Sequence, residues 1–166
     1  MLWQMLFALA LSLLSTLLHA LGLLGLLYWQ SKVWPWLEAA FGPRRNLPVF
    51  LFLFAVIWGL HLAEISLWAG FYYWGVGLPT LETSFYFSAT SYTAVGDGGI
   101  TLPPAWRLTG SLESLTGVLL LGWSAAFFFT VVHRLFEVRI RRWKQDGTEV
   151  QRLGPKETLD TGHGAA

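Results

Sequence analysis

The sequence predicts an all-α membrane protein: three transmembrane helices, with a re-entrant helix and a glycine-rich segment between the second and the third. Three observations carry this expectation. The 166 residues are 54% hydrophobic and only 13% charged, the composition of a membrane protein. Residues 5–28, 48–73 and 110–132 form apolar stretches with almost no charge, reaching or approaching the roughly 20 residues that span a hydrocarbon core of about 30 Å. Residues 82–92 are too few to cross, and the run Val95-Gly96-Asp97-Gly98-Gly99 follows them.

The first stretch has no Lys or Arg before it, exceeds the apolar core of a secretory signal and shows no small-residue cleavage site, so it is expected to be retained. His19 is its one titratable group. Without regularly spaced arginines it is no voltage sensor, and it reads as a peripheral scaffold helix. Lys32, Arg44 and Arg45 follow the first stretch, and Arg134, Arg139, Arg141, Arg142 and Lys144 follow the third. Both regions are therefore expected on the cytoplasmic side. Glu82, Asp97 and Glu113 face only Arg107 in the segment between the second and third stretches, which suits the outer side and puts the N-terminus outside and the C-terminus in the cytoplasm. Trp29, Trp34 and Trp36 mark the inner boundary, and Tyr72, Tyr73, Trp74 and Trp106 the outer one, where amphipathic rings favour the headgroup level. The tail 145–166 is polar and expected to be flexible. The absence of cysteine excludes disulfides, thiolate metal sites and cysteine nucleophiles, and no basic domain points to nucleic acid.

Pro79 before Thr80, with Glu82 early, reads as a helix start. A helix from Glu82 to Tyr92 is about 16 Å long, roughly half the hydrocarbon thickness. Small residues and glycines then permit an extended or unusual backbone, and about six extended residues climb some 20 Å back to the outer surface. Lipid satisfies no backbone N–H or C=O groups, so such a hairpin has to be buried in protein or line a watery cavity. One chain cannot shield it, and several identical chains around an axis can. Carbonyls aimed at that axis replace the hydration shell of a cation, while the negative ends of the half-helices face the cavity.

Thr93-Ala94-Val95-Gly96-Asp97-Gly98-Gly99 resembles the filter of the potassium-channel superfamily, which typically reads Thr-Val-Gly-Tyr-Gly-Asp after a short pore helix. Ala94 falls at the inner filter threonine, Val95, Gly96 and Gly98 match, Asp97 replaces the tyrosine and Gly99 the aspartate. The resemblance covers roughly residues 49–137. Tyr86-Phe87-Ser88 with Val95-Gly96-Asp97-Gly98 looks closest to bacterial channels with Val-Gly-Asp-Gly filters that admit both sodium and potassium. Gly117 to Ser124, with Glu113 before it, looks like a bacterial group of small three-helix proteins classed as potassium channels. The resemblance implies a homotetramer around a central pore in the bacterial inner membrane. Residues 1–46 would form the peripheral helix and a cytoplasmic loop. Residues 47–140 would form the pore domain, with outer helix 48–73, pore helix 82–92, filter 93–98 and inner helix 110–138. Residues 141–166 would form a basic, then flexible, tail. It also implies passive conduction of K+ and Na+, bound by the carbonyls of Ala94, Val95, Gly96 and Asp97. Ala94 lacks the hydroxyl of the innermost site and Asp97 cannot pack as tyrosine does, so weakened K+ selectivity is expected. Four Asp97 carboxylates would attract cations, Ca2+ included, as permeant ion or blocker. No cofactor is implied.

Other residues carry a functional and a structural reading. Gly99 and Glu113 are expected at the outer mouth, where Glu113 attracts cations or stabilises the turn or its helix start. Gly117 and Gly122 serve either as a gating hinge or as close-packing residues. Phe128 and Val132 belong to candidate hydrophobic constrictions. Arg139, Arg141, Arg142 and Lys144 bind anionic lipid headgroups or only fix topology. His61 and Glu64 share a helix face. They form either a pH-sensitive pair near the pore or a structural one, with Glu64 bonded to pore-helix hydroxyls such as Ser88, Thr90 or Ser91. Two ligands alone make a poor metal site. Two rival functions stay open, a non-conducting pore-like assembly and an intramembrane enzyme. No nucleophile–base pair or hydrolase motif supports the latter.

Overall fold

A computed structural model describes residues 2–41, 46–96 and 99–152, with side chains outside the description at 34–41, 46, 135, 136 and 138–152. The elements are α1 (Leu2–Phe41), α2 (Asn46–Phe71), a π-helical turn (Tyr72–Val76), α3 (Leu81–Tyr92), a 3-10 turn (Pro104–Trp106) and α4 (Arg107–Arg152). Among the described residues, three helical stretches are long and apolar enough to cross a membrane: Leu2–Val33, Leu47–Val76 and Pro104–Arg134. The chain divides into two compact units, Met1–Phe128 and Phe129–Ala166.

Two helices run beyond their expected ends. α1 continues through the stretch expected as a loop, past Pro35, and ends at Phe41, immediately before the Gly42-Pro43 pair, where two breakers stand together. α2 gives way at Phe71 to the π turn, closed by Gly77 at φ 83°. α3 starts at Leu81 because the Thr80 hydroxyl caps it, accepting the Thr83 N–H at 3.0 Å. α4 runs past the expected end at residue 138 and takes in 145–152, expected as flexible tail. Residues 139–152 are rich in Arg, Lys, Gln and Glu and meet no proline before Pro155, so helix propensity favours continuation despite Gly147. Residues 153–166 of the expected tail lie outside the described residues.

In the first unit the aromatic core forms around Trp68, Tyr72 and Phe87, with Ala8, Phe71 and Leu102 buried beside them. Tyr72 meets Phe87 edge-on at 4.8 Å between centroids, and Phe71 meets Trp106 at 5.3 Å. Such pairs add about 0.5–1.5 kcal/mol beyond area burial. Polar contacts lock α1 in place: the Trp68 indole donates to Ser15 at 3.2 Å and Thr116 donates to Ser12 at 2.8 Å. The outward faces of all three long helices expose Leu13, Leu51 and Leu119, as a lipid-facing surface requires. In the second unit the Phe129 and His133 rings stack, and His133 Nε2 lies 3.4 Å from Glu137 on the exposed helix surface.

Candidate functional site

α3 is a helix of 12 residues, about 18 Å long, and its C-terminal end is held against α4. Ser114 of α4 donates to the Ser91 carbonyl at 2.7 Å. One turn further along α4, a Cβ on Gly117 would fall on the Tyr92 carbonyl oxygen, so glycine is what lets the two backbones approach. Gly117 is therefore a close-packing residue, whereas Gly122 has open space beside it.

The chain leaves α3 through a turn, so that of the extended or unusual backbone the sequence permits, residues 93–96 take the unusual form. Ala94 N–H donates to the Ser91 carbonyl at 2.9 Å and Gly96 N–H to the Thr90 carbonyl at 3.0 Å. Two residues adopt the left-handed region, Ala94 at φ 56° and Gly96 at φ 75°. Glycine takes this at no cost, but alanine is strained there by about 1 kcal/mol. Among the described residues no backbone bond falls on the carbonyls of Ala94, Val95 or Gly96. Thr93 to Gly96 are all exposed, Val95 at 78%. Asp97 and Gly98 lie outside the described residues, and Gly99 is exposed beyond them.

Behind the turn lies a buried polar cluster. Glu64 of α2 accepts from His19 Nδ1 of α1 at 2.8 Å, from the Tyr92 hydroxyl of α3, and contacts His61 Nδ1 at 3.2 Å. His61 Nδ1 also lies 2.8 Å from the Tyr92 hydroxyl. Ser124 of α4 sits 3.0 Å from both His61 Nε2 and His19 Nε2. The expected hydroxyl partners of Glu64 are thus corrected: neither Ser88, Thr90 nor Ser91 reaches it, because the long Tyr92 side chain occupies that position. α1, expected as a peripheral scaffold helix, buries His19 fully on Glu64. Sequence reasoning missed His19, Tyr92 and Ser124 as partners. The available signal was cost: an ionisable group at membrane depth demands a partner, and His19 had none on its own helix.

A second cluster corrects the place of Glu113. It is fully buried rather than at the outer mouth. Its carboxylate accepts from the Tyr72 hydroxyl at 2.7 Å and lies 2.5 Å from the Ser88 hydroxyl, which also reaches the Ile65 carbonyl at 2.9 Å. Its register on α4 turns it toward α2 and α3. Phe128 packs its ring 5.9 Å from Phe50, and Val132 is half-buried. Arg139, Arg141, Arg142 and Lys144 are helical, with side chains outside the described residues.

Neither a curated protein nor a solved structure matches the chain. The profile of a family described as "Ion channel" matches residues 48–134, just over half of the chain, from the start of α2 to the exposed surface of α4 at Arg134. With three helices able to span a membrane and a short helix and exposed turn between the last two, this multi-pass membrane chain belongs to the ion channel family, in the superfamily of pore-loop cation channels.

Proposed function

We propose that the chain is one subunit of a homotetrameric cation channel that passes K+ and Na+ through a filter made by residues 93–98, with α3 as a re-entrant pore helix. The observation that carries this reading is the exposed turn at the end of α3, where the carbonyls of Ala94, Val95 and Gly96 have no partner among the described residues. At membrane depth such groups are tolerated only when ions, water or other chains satisfy them. Four copies around an axis do so, and they also cover the α3 face that leaves Tyr86 exposed at 54% and Phe85 at 38%. The negative end of the α3 dipole then points at the cavity. Asp97 in place of an aromatic residue weakens K+ selectivity and draws divalent cations to the mouth. The charge pattern sets the N-terminus outside and the basic end of α4 in the cytoplasm of a bacterial inner membrane, within reach of anionic lipid.

The test is flux of K+, Na+ and Ca2+ into liposomes carrying the purified protein, alongside its oligomeric mass in detergent. A fourfold mass, flux of both monovalent ions, and a shift toward K+ in Asp97→Tyr are the expected results. An intact tetramer that passes no ion under any pH or lipid condition would replace conduction with a silent pore-like assembly.

A further inference from the structure

The polar cluster behind the turn holds more ligand atoms than a tether between helices needs. His19, His61 and Glu64 offer ligand atoms that all lie within 4.8 Å of one another, and all three side chains are buried. The Tyr92 hydroxyl contacts both Glu64 and His61 Nδ1. Three helices therefore bring two imidazole nitrogens, a carboxylate and a phenol oxygen to one point. The sequence alone counted two ligands, and α1 supplies the third.

The far sides of the rings fit the same reading. A histidine that binds a metal through Nδ1 carries its proton on Nε2 and gives it to a further acceptor. Both Nε2 atoms lie 3.0 Å from Ser124 Oγ, whose two lone pairs accept both protons. Without a metal the one Ser124 proton serves only one of the two Nε2 atoms. Charge closes as well. Two neutral imidazoles, the Glu64 carboxylate and a Tyr92 phenolate carry two negative charges, which one divalent cation neutralises, and a neutral site is the kind that bilayer depth tolerates.

We propose that His19 Nδ1, His61 Nδ1, the Glu64 carboxylate and the Tyr92 oxygen bind one divalent transition-metal ion per chain. Two imidazoles with oxygen donors favour Zn2+ or its neighbours over Mg2+ and Ca2+. Tyr92 releases its proton on binding. The hydrogen-bonded pairs among the donors stand at 2.8–3.2 Å, and the ligand atoms of His19, His61 and Glu64 all lie within 4.8 Å of one another. Tetrahedral bonds of about 2.0 Å set ligand edges of about 3.3 Å, so the bonded pairs move apart by tenths of an ångström and the widest pair closes by up to about 1.5 Å. The ion would fasten α1, α2 and α3 beside Thr93, where the proposed filter begins.

The test is metal content of the full-length protein in detergent, loaded with Zn2+ and dialysed, with thermal unfolding followed in parallel. One Zn2+ per chain, a higher Tm with Zn2+ and a lower one with chelator are expected. His19→Gln and Glu64→Gln should each lower bound Zn2+ by at least about tenfold, while Ser15→Ala, at a different α1 contact, keeps it. Should those variants fail to fold, Co2+ in the wild-type chain gives an independent readout, the visible absorption of a four-coordinate ion. Loaded protein holding well under one ion per chain, or equal Zn2+ in His19→Gln and wild type, overturns the proposal and leaves a purely hydrogen-bonded cluster. Metal content does not depend on conduction, so this failure leaves the channel reading untouched.

Discussion

At the scale of single residues, the two glycines of α4 separate cleanly. Gly117→Ala puts a Cβ onto the Tyr92 carbonyl oxygen and should cost about 1–3 kcal/mol, as overpacking does. Gly122→Ala meets open space and should be neutral or stabilise by up to about 1 kcal/mol through helix propensity. Thermal unfolding in detergent checks both, and equal Tm values would sink the close-approach account. Glu113→Gln keeps an acceptor for Tyr72 and a donor for Ser88, so it should stay within about 1 kcal/mol of wild type. Glu113→Leu removes the acceptor of the Tyr72 hydroxyl while Ser88 keeps the Ile65 carbonyl, and should cost about 1–3 kcal/mol. Ala94→Gly relieves the strain at φ 56°, while the β-branched Ala94→Thr aggravates it. Of these sites, Glu113 was legible as a polar residue near the outer end of its span, but its burial was not, because exposure depends on the rotation of α4 against its neighbours.

At the scale of elements, α3 depends on a local cap. Thr80→Ala removes the acceptor for the Thr83 N–H and should destabilise by about 1 kcal/mol, as loss of a helix cap typically does. A Tm lowered by the Ala variant and restored by Thr80→Ser would assign the effect to the hydroxyl. The start of this helix was legible from Pro79, Thr80 and Glu82, since capping is written in neighbouring residues. The ends of α1 and α4 were not, because loop composition alone did not reveal how far helix propensity carries past an apolar span. After Tyr92 the sequence permitted an extended or an unusual backbone, and the two amide bonds to Ser91 and Thr90 select a turn over residues 93–96.

At the scale of the whole molecule, the proposed assembly of four copies would give the exposed turn its partners. Asp97→Asn should keep the fourfold mass and monovalent flux while weakening any effect of Ca2+ on that flux, since it removes charge without altering size. Unchanged Ca2+ sensitivity would move Asp97 away from the ion path. The ion channel family match covers α2, α3 and most of the apolar part of α4, leaving α1 outside. Yet α1 contributes His19 to the cluster beside the turn, so the part of the chain beyond the family match touches the part that the proposed function uses.

The order of residues was enough for the class of protein, the three spans, the short helix between the last two and the filter-like motif. These follow from length, local composition and neighbouring residues. Tertiary structure alone decided which polar groups meet. His19 and Glu64 are 45 residues apart and Ser124 and His19 are 105 apart. α1 and α2 are apolar around nearly their whole circumference, so no periodic stripe marks the face that packs inward. Only the rotation of each helix against its neighbours could bring those side chains together.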